Sequence, residues 1–205
     1  TFGEYEQDND LANGSEPIEW IVLDYDAPNH RTMLISKYGL DALLYHFDWY
    51  ENYQITWETC SGREWLNKVF LKSAFTEEEQ EAILMTEVDN SASQSIDRWK
   101  AKNSGNNTQD KIFLLSFTEA CLYFNVSEWD MDDSNVLSRV APTPYAKAQG
   151  AEVSSKYQTA EGEQAGPWWL RTVAFSQNSA IFVNDHGSGN PGNVGMRYTV
   201  RPVLW

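Results

Sequence analysis

One short segment concentrates rings that could bind a ligand by stacking. Six side chains between positions 45 and 53 are aromatic or imidazole: Tyr45, His46, Phe47, Trp49, Tyr50 and Tyr53. Flat rings at this density are typical of exposed platforms for sugar faces or a protein partner. Because Asp48, Glu51 and Asn52 lie between the rings, burying the whole segment would require partners for each polar group. The sequence predicts an exposed platform, with an aromatic lid over the core as the alternative.

A second group of candidate ligand-binding residues lies near the C-terminus. The segment from 186 to 198 contains four Gly, two Asn and a terminal Arg-Tyr pair. Small and amide residues in this mixture are typical of adaptable binding loops, and a disordered connection is the alternative. The residues expected to contact a ligand in the two C-terminal loops are Gln177, Asn178, Asn190, Asn193, Arg197 and Tyr198.

Two neighbouring residues are candidate metal ligands. Asn184 and Asp185 follow the apolar residue Val183, and their side chains supply the oxygen atoms that Ca²⁺ prefers. The same residues, with Gly187 available for a positive φ angle, also fit a plain hairpin turn. We expect no required cofactor, with calcium at Asn184 and Asp185 as the one candidate ion.

The alternative to a binding module is a hydrolase of carbohydrate or peptidoglycan. Such an enzyme needs two carboxyl groups held about 5 to 9 Å apart, and Asp48 or Glu51 with Asp185 is the pair that the sequence offers. No GxSxG or HExxH motif occurs, and no Gly-rich phosphate loop follows a strand. A non-catalytic role is favoured, and a purely structural domain of a larger surface protein is a third interpretation.

Charge and hydropathy exclude two classes of partner. The net charge of -15 repels phosphate backbones, so we expect no nucleic acid. No apolar run approaches the roughly 18 to 20 residues that cross a bilayer, so we expect no membrane insertion. A glycan or a protein remains as the expected ligand. The length fits a single domain over residues 1–205, and a start at Thr1 suggests a segment excised from a longer protein.

Four residues are expected to have structural roles. Cys60 and Cys121 lie in no CxxC pair, which favours buried thiols over a zinc site, with a disulfide as the alternative. Arg171 and Arg201 each occur in an apolar strand, where a guanidinium needs carboxylates or backbone carbonyls as partners. We favour structural roles for both arginines over anion recognition.

Strands are predicted at both ends of the chain. Residues 2–7, 18–25 and 32–38 have strand-like apolar content around a turn at 26–30 and should pair antiparallel. Near the C-terminus, residues 167–172, 179–185 and 198–205 predict three strands separated by two loops.

Helices are predicted between these strands. Apolar residues from Trp65 to Phe70 recur at helical spacing, and capping boxes predict one helix from Thr76 toward Val88 and another from Ser116 through Phe124. A further short helix follows Thr143. Residues 89–110 are interpreted as a long surface loop and 112–116 as a buried strand.

Several motifs resemble those of a known family. In order they are FGEYEQ, EPIEWIVLD, MLISKYGLDA, TWETCSGREWLN, AFTEEEQEAIL, NTQDKIFLLS, TPYAKAQGA, WWLRT and VRPVLW. Together they resemble a bacterial domain family of unknown function, with a WWLR…VRPxLW ending, found in secreted or surface proteins of Gram-positive gut anaerobes.

The ending also resembles that of C-type-lectin-like and formylglycine-generating-enzyme-like domains. This likeness implies an α+β, C-type-lectin-like fold of short antiparallel strands with several helices and a loop-rich C-terminal half. It implies an extracellular or cell-surface location, a ligand face at 186–198 and, at Asn184-Asp185, a likeness to the calcium-binding motif of sugar-binding lectins.

Overall fold

The computed structural model describes residues 1–48, 54–128 and 135–205, and it confirms a mixed α+β chain. The described strands are β1 Glu4–Tyr5, β2 Glu16–Pro17, β3 Trp20–Asp26, β4 Arg31–Ser36, β5 Asp41–Leu44, β6 Thr86–Val88, β7 Thr108–Asp110, β8 Trp168–Val173, β9 Ser179–Val183, β10 Gly189–Asn193, β11 Arg197–Val200 and β12 Val203–Leu204. The described α-helices are α1 Ser61–Trp65, α2 Leu71–Ala74, α3 Glu77–Ala82, α4 Phe117–Phe124 and α5 Pro144–Ala148.

The N-terminal strands form two separate pairings. β3 and β4 make an antiparallel hairpin around a 3₁₀ turn, and β12 from the C-terminus pairs with the other edge of β4. The predicted turn at 26–30 is confirmed. The predicted strand at 2–7 shortens to β1, which pairs with β2 instead of β3. The expectation of one antiparallel unit is therefore wrong for the first seven residues.

The C-terminal sheet has five strands in the order β10-β9-β8-β11-β5. β11 runs parallel to β8, whereas the other neighbours are antiparallel. The predicted loop at 186–198 is wrong in its middle, because Gly189–Asn193 forms β10 and pairs with β9. Gly192 leaves room in this pairing for the Phe182 ring on β9. A Cβ atom at position 192 would lie 2.8 Å from that ring and clash with it.

Local capping decides where the helices begin. The predicted capping boxes are present at Thr76 with Glu79 and at Ser116 with Glu119, and Thr143 caps α5 by accepting from the Ala146 N–H at 3.0 Å. The helix from Thr76 stops at residue 82, short of the predicted end, because the chain turns there into β6. A π-helical turn, Leu66–Phe70, joins α1 to α2.

The segment from 89 to 110 is anchored to the core, which corrects the prediction of a plain surface loop. Trp99 is buried, with its ring centroid 5.2 Å from that of Phe117. At the end of the segment, the buried Asp110 carboxylate accepts hydrogen bonds from Trp57 Nε1 at 3.0 Å and Arg63 Nε at 2.7 Å. Long-range packing of this kind cannot be seen in the polar composition of the segment.

One continuous cluster of buried residues runs from the N-terminal hairpin through the helices to the C-terminal sheet. Residues 112–116 are buried as predicted, but they add only an isolated bridge between Phe113 and Val203. Cys60 is buried and Cys121 half-buried, and both are free thiols. The disulfide alternative is therefore wrong.

Candidate functional site

The first residues of the predicted aromatic platform lie in the core. Tyr45 is 2% exposed, its ring centroid is 5.5 Å from that of Trp169, and its hydroxyl donates to the Arg171 carbonyl oxygen at 2.7 Å. His46 is 5% exposed, and its Nδ1 accepts from the Ser61 N–H at 3.1 Å. The prediction that these two side chains are exposed is wrong, because strand β5 runs directly into them beside the sheet.

The remaining rings of the aromatic segment are not buried in the same way, or lie outside the described residues. Phe47 is exposed and stacks on His46 with ring centroids 5.3 Å apart. Trp49, Tyr50 and Tyr53 lie outside the described residues. An exposed platform formed by those three rings stays a prediction.

Several predicted loop residues stabilise turns through their own polar groups. The carbonyl oxygens of Gln177 and Asn178 accept from the Ile55 and Val194 amides at 2.8 and 3.0 Å. The Asn193 side chain accepts from the Gly195 N–H at 2.8 Å, an Asx turn after β10. These bonds give the loops a defined backbone shape, while the side chains of Gln177 and Asn193 remain exposed.

Two further predicted residues lie on the strands. The Asn190 amide donates to the Ser188 carbonyl at 3.3 Å, opposite Phe182 in the β9–β10 pairing. The guanidinium of the exposed Arg197 donates to the Ala42 carbonyl at 3.0 Å across the β11–β5 pairing. Both remain candidate contacts at the surface of the five-stranded sheet.

The structure brings three predicted residues together in one pocket of about 160 Å³. We call it the sheet-end pocket, and its lining includes Glu152, Ser154, Phe182, Asn184, Asp185 and Tyr198. A volume below roughly 300 Å³ is too small to enclose a whole drug-sized ligand. The pocket therefore suits one terminal group of a longer ligand.

A row of rings forms the apolar wall of the sheet-end pocket. Phe182 on β9 and Tyr198 on β11 have centroids 4.4 Å apart, and Tyr198 is 4.8 Å from Trp169 on β8. The side chains of these three strands thus meet on one face of the sheet. Phe182 is half-buried, so part of its surface stays accessible.

Carboxylate, amide and hydroxyl groups form the polar side of the pocket. Burial, with a smaller contribution from the negative charge of Glu152, raises the pKa of Tyr198 to about 12. The Tyr198 hydroxyl therefore keeps its proton at neutral pH and can donate a hydrogen bond. The exposed Glu152 carboxylate can accept one.

The candidate metal residues adopt the hairpin-turn alternative. The Asn184 side-chain oxygen accepts from the Gly187 and Ser188 amides at 3.0 and 2.9 Å, and Gly187 has a φ of +101°. This oxygen is therefore already used within the protein. Asp185 and Glu152 provide the carboxylates of the pocket, and calcium binding there stays a prediction.

A separate acidic cluster was not predicted from the sequence. Carboxylate oxygens of Glu6, Asp8 and Glu16 lie within 4.8 Å of one another, in a search that covered only the described residues. Glu16 already accepts from the Gln7 N–H at 2.7 Å, and Glu6 accepts from the Asn9 N–H at 2.7 Å. We assign no ion to this cluster.

The hydrolase pairing gains no support from the pocket. Asp185 shares its pocket with Glu152 and not with Asp48, and Glu51 lies outside the described residues. Sequence reasoning missed Glu152 and Phe182. The alternating side-chain directions along β9 could have identified Phe182 as a residue that leaves the core. Glu152 lies in an irregular segment about 30 residues before Phe182, and no local sequence pattern indicates that the two residues meet.

Comparison with known families identifies the group to which the chain belongs. Residues 29–205 match a family described as Domain of unknown function (DUF6273), and the chain belongs to this family. Searches of curated proteins and of solved structures gave no match. Among the described residues, no helix combines the length and the apolar character needed to span a membrane.

Proposed function

We propose that this member of the DUF6273 family is a non-catalytic ligand-binding domain that binds a glycan at the sheet-end pocket. The observation that supports it best is the meeting of the Phe182 and Tyr198 rings with the carboxylates of Glu152 and Asp185 in one pocket. A sugar has an apolar C–H face that packs on a ring and hydroxyl groups that donate to carboxylates.

The size and charge of the pocket narrow the ligand. At about 160 Å³ it accepts a terminal sugar, with the next sugars lying along the half-buried edge strand β10 beside Asn190. Because Glu152 and Asp185 are both acidic, a neutral sugar is preferred over an acidic one. Calcium held between these two carboxylates would change that preference, so the metal is tested directly.

We also propose a C-type-lectin-like arrangement and an extracellular or cell-surface location. Both rest on the resemblance of the C-terminal motifs. The sheet of β8, β9 and β11 supports the proposal by holding the turns at 177–178 and 184–188 at defined positions. In such an arrangement a rigid sheet presents adaptable loops to the ligand.

The test is a glycan array, followed by titration calorimetry of any glycan that binds. Phe182→Leu keeps an apolar side chain but removes the ring face, and Glu152→Gln removes the acceptor charge at an exposed position. Each should weaken binding by at least about tenfold, as expected for an anchor residue of a binding site. Glu78→Gln, at an exposed position on α3, is the matched control and should bind like the wild type.

Three results would overturn the proposal. The folded wild-type domain could bind no glycan, Phe182→Leu and Glu152→Gln could leave a bound glycan unaffected, or binding could be lost only in Trp49→Ala. The last result would place the ligand on the aromatic segment instead of the sheet-end pocket. Repeating the titration with calcium and with chelator, for wild type and Asp185→Asn, tests the metal.

A further inference from the structure

A larger cavity lies away from the sheet-end pocket and shares no lining residue with it. It has a volume of about 420 Å³ and lies between the β3–β4 hairpin, the end of α4 and the segments 136–141 and 159–163. We call it the arginine cavity. The lining residues that matter here are Lys37, Tyr38, Tyr123, Leu137, Arg139 and Arg201.

Arg201 is the buried cation of this cavity. The residue is 2% exposed, and its guanidinium lies 4.9 Å from the ring centroids of both Phe124 and Trp168. Its Nε and Nη2 donate to the Ser36 carbonyl oxygen at 3.0 and 2.9 Å. Among the residues that the structure describes, Nη1 has no hydrogen-bond partner and no carboxylate forms an ion pair with the guanidinium.

An unmatched buried charge of this kind is costly. Taking a guanidinium out of water costs several kcal/mol, which backbone carbonyls and ring faces offset only in part. Burial accordingly lowers the pKa of Arg201 to about 9. An anion placed against Nη1 would offset the remaining cost, and the adjoining cavity offers the space for it.

The other cations of the cavity already have partners. Lys37 pairs with Glu19 at 3.0 Å, and the Arg139 guanidinium donates to the carbonyls of His186 and Gln158 at 3.3 and 3.0 Å. Of these three cations, Arg201 is the one that is fully buried and has a guanidinium nitrogen, Nη1, without a hydrogen-bond partner among the described residues. Lys37 and Arg139 still contribute positive potential in a chain whose net charge is -15.

The lining also constrains the shape and charge of the ligand. Tyr38 and Tyr123 are half-buried and Leu137 is 61% exposed, so much of the wall is apolar. The exposed carboxylates of Glu161 and Glu163 also line the cavity and repel a dianion more than a monoanion. A singly charged group on an apolar or ring-shaped body fits both constraints.

We propose that the arginine cavity binds a ligand that presents a carboxylate on an apolar or ring-shaped body, with Arg201 as the residue that recognises the carboxylate. A guanidinium binds a carboxylate through matched planar geometry. Nη1 is itself covered from solvent, so binding requires a small displacement of the side chains between it and the cavity. The proposal is independent of glycan binding at the sheet-end pocket.

The test compares charged probes with neutral ones of the same shape. The first pair is N-acetyl-L-phenylalanine and its amide, and the second is D-glucuronate and D-glucose, each titrated by calorimetry and by ligand-detected NMR. The charged member of at least one pair should bind at least about tenfold more tightly than its neutral match. The first pair represents a peptide C-terminus and the second an acidic sugar. Equal binding within both pairs would overturn the proposal.

A surface variant places the site without disturbing the core. Leu137→Glu adds a negative charge at the wall of the cavity and should weaken binding of the charged probe by at least about tenfold. Leu11→Glu, at a position that is 78% exposed and outside the cavity, is the matched control and should bind like the wild type. Unchanged binding in Leu137→Glu would overturn the location.

A core variant tests Arg201 itself. Arg201→Met removes the charge and keeps a long apolar side chain, so it should abolish the preference for the charged probe while leaving weak binding of the neutral one. Circular dichroism first establishes that the variant is folded. If it is unfolded, the Leu137→Glu and Leu11→Glu pair decides. A folded Arg201→Met that still prefers the carboxylate would contradict the assigned role.

Discussion

Arg171 and Arg201 occupy similar positions near the C-terminus and are equally buried, but their charges are compensated differently. Arg171 forms a two-point ion pair with Glu119, with Nη2 to Oε1 at 2.8 Å, and donates to the carbonyls of Leu114 and Asp89 at 2.8 and 3.0 Å. Arg201 donates to backbone carbonyls and stacks on rings, with no carboxylate partner among the described residues.

The difference separates a structural role from a binding role. The Arg171 pair joins strand β8 to helix α4 and to residue 89, so its charge is neutralised within the fold. The structural role expected for Arg171 therefore agrees with its contacts. For Arg201 the carbonyl contacts agree with that expectation, whereas the unmatched charge leads to the proposed anion site.

The largest expected effect comes from replacing each arginine with methionine. Arg171→Met leaves the partly buried Glu119 without its partner and should cost about 3 to 5 kcal/mol of unfolding free energy. Arg201→Met loses the hydrogen bonds to the Ser36 and Lys37 carbonyls but also removes an unmatched charge, so it should cost only about 1 to 2 kcal/mol. Urea unfolding at pH 7 measures both values. Equal losses would remove the distinction between the two arginines.

A smaller effect is expected from removing the counter-charge instead. Glu119→Gln keeps the side-chain length and should destabilise the fold by about 2 to 3 kcal/mol, because Arg171 then becomes an unmatched buried cation. The control is Glu19→Gln, which breaks the exposed pair with Lys37 and should cost less than about 1 kcal/mol. If the two variants lose the same stability, the Arg171 pair behaves like a surface pair.

The smallest effect extends the comparison to a buried carboxyl group. Asp41 is 6% exposed, and burial raises its pKa although Tyr5 donates to it at 2.5 Å. The Asp41 carboxyl group therefore binds its proton more tightly in the folded state than in the unfolded chain, where the pKa of an aspartate is about 3.9. The contribution of Asp41 to wild-type stability should therefore fall as pH rises from that value through the raised pKa of the folded state.

Asp41→Asn should remove this pH dependence. The substitution also changes the free energy of unfolding by an amount that does not depend on pH. Beyond that amount, the variant should gain stability relative to the wild type as pH rises from 3 to 7, since only the wild type then buries a charge. Thermal unfolding of both proteins over that range measures the difference. A constant difference would mean that Asp41 titrates alike in the folded and unfolded states.

Local interactions explain which predictions succeeded. The capping boxes at Thr76 and Ser116 and the cap at Thr143 join residues three positions apart, so each is complete within the sequence that encodes it. The Asn184 turn is equally local. Tyr45 shows the opposite case. An aromatic residue beside polar neighbours has the same local sequence whether its ring lies at the surface or packs against Trp169, so the sequence did not predict its burial.

The sequence by itself determined the α+β class, the starts of α3, α4 and α5 and the strands β8 and β9, because these depend on residue spacing and on contacts within a turn. Only the tertiary structure decided that Glu152 joins Phe182 and Tyr198 in one pocket, and that Arg171 meets Glu119 while Arg201 faces a cavity. Those groupings join residues far apart in the chain. They depend on which buried charges find partners when the strands and helices pack, and residue spacing does not encode that outcome.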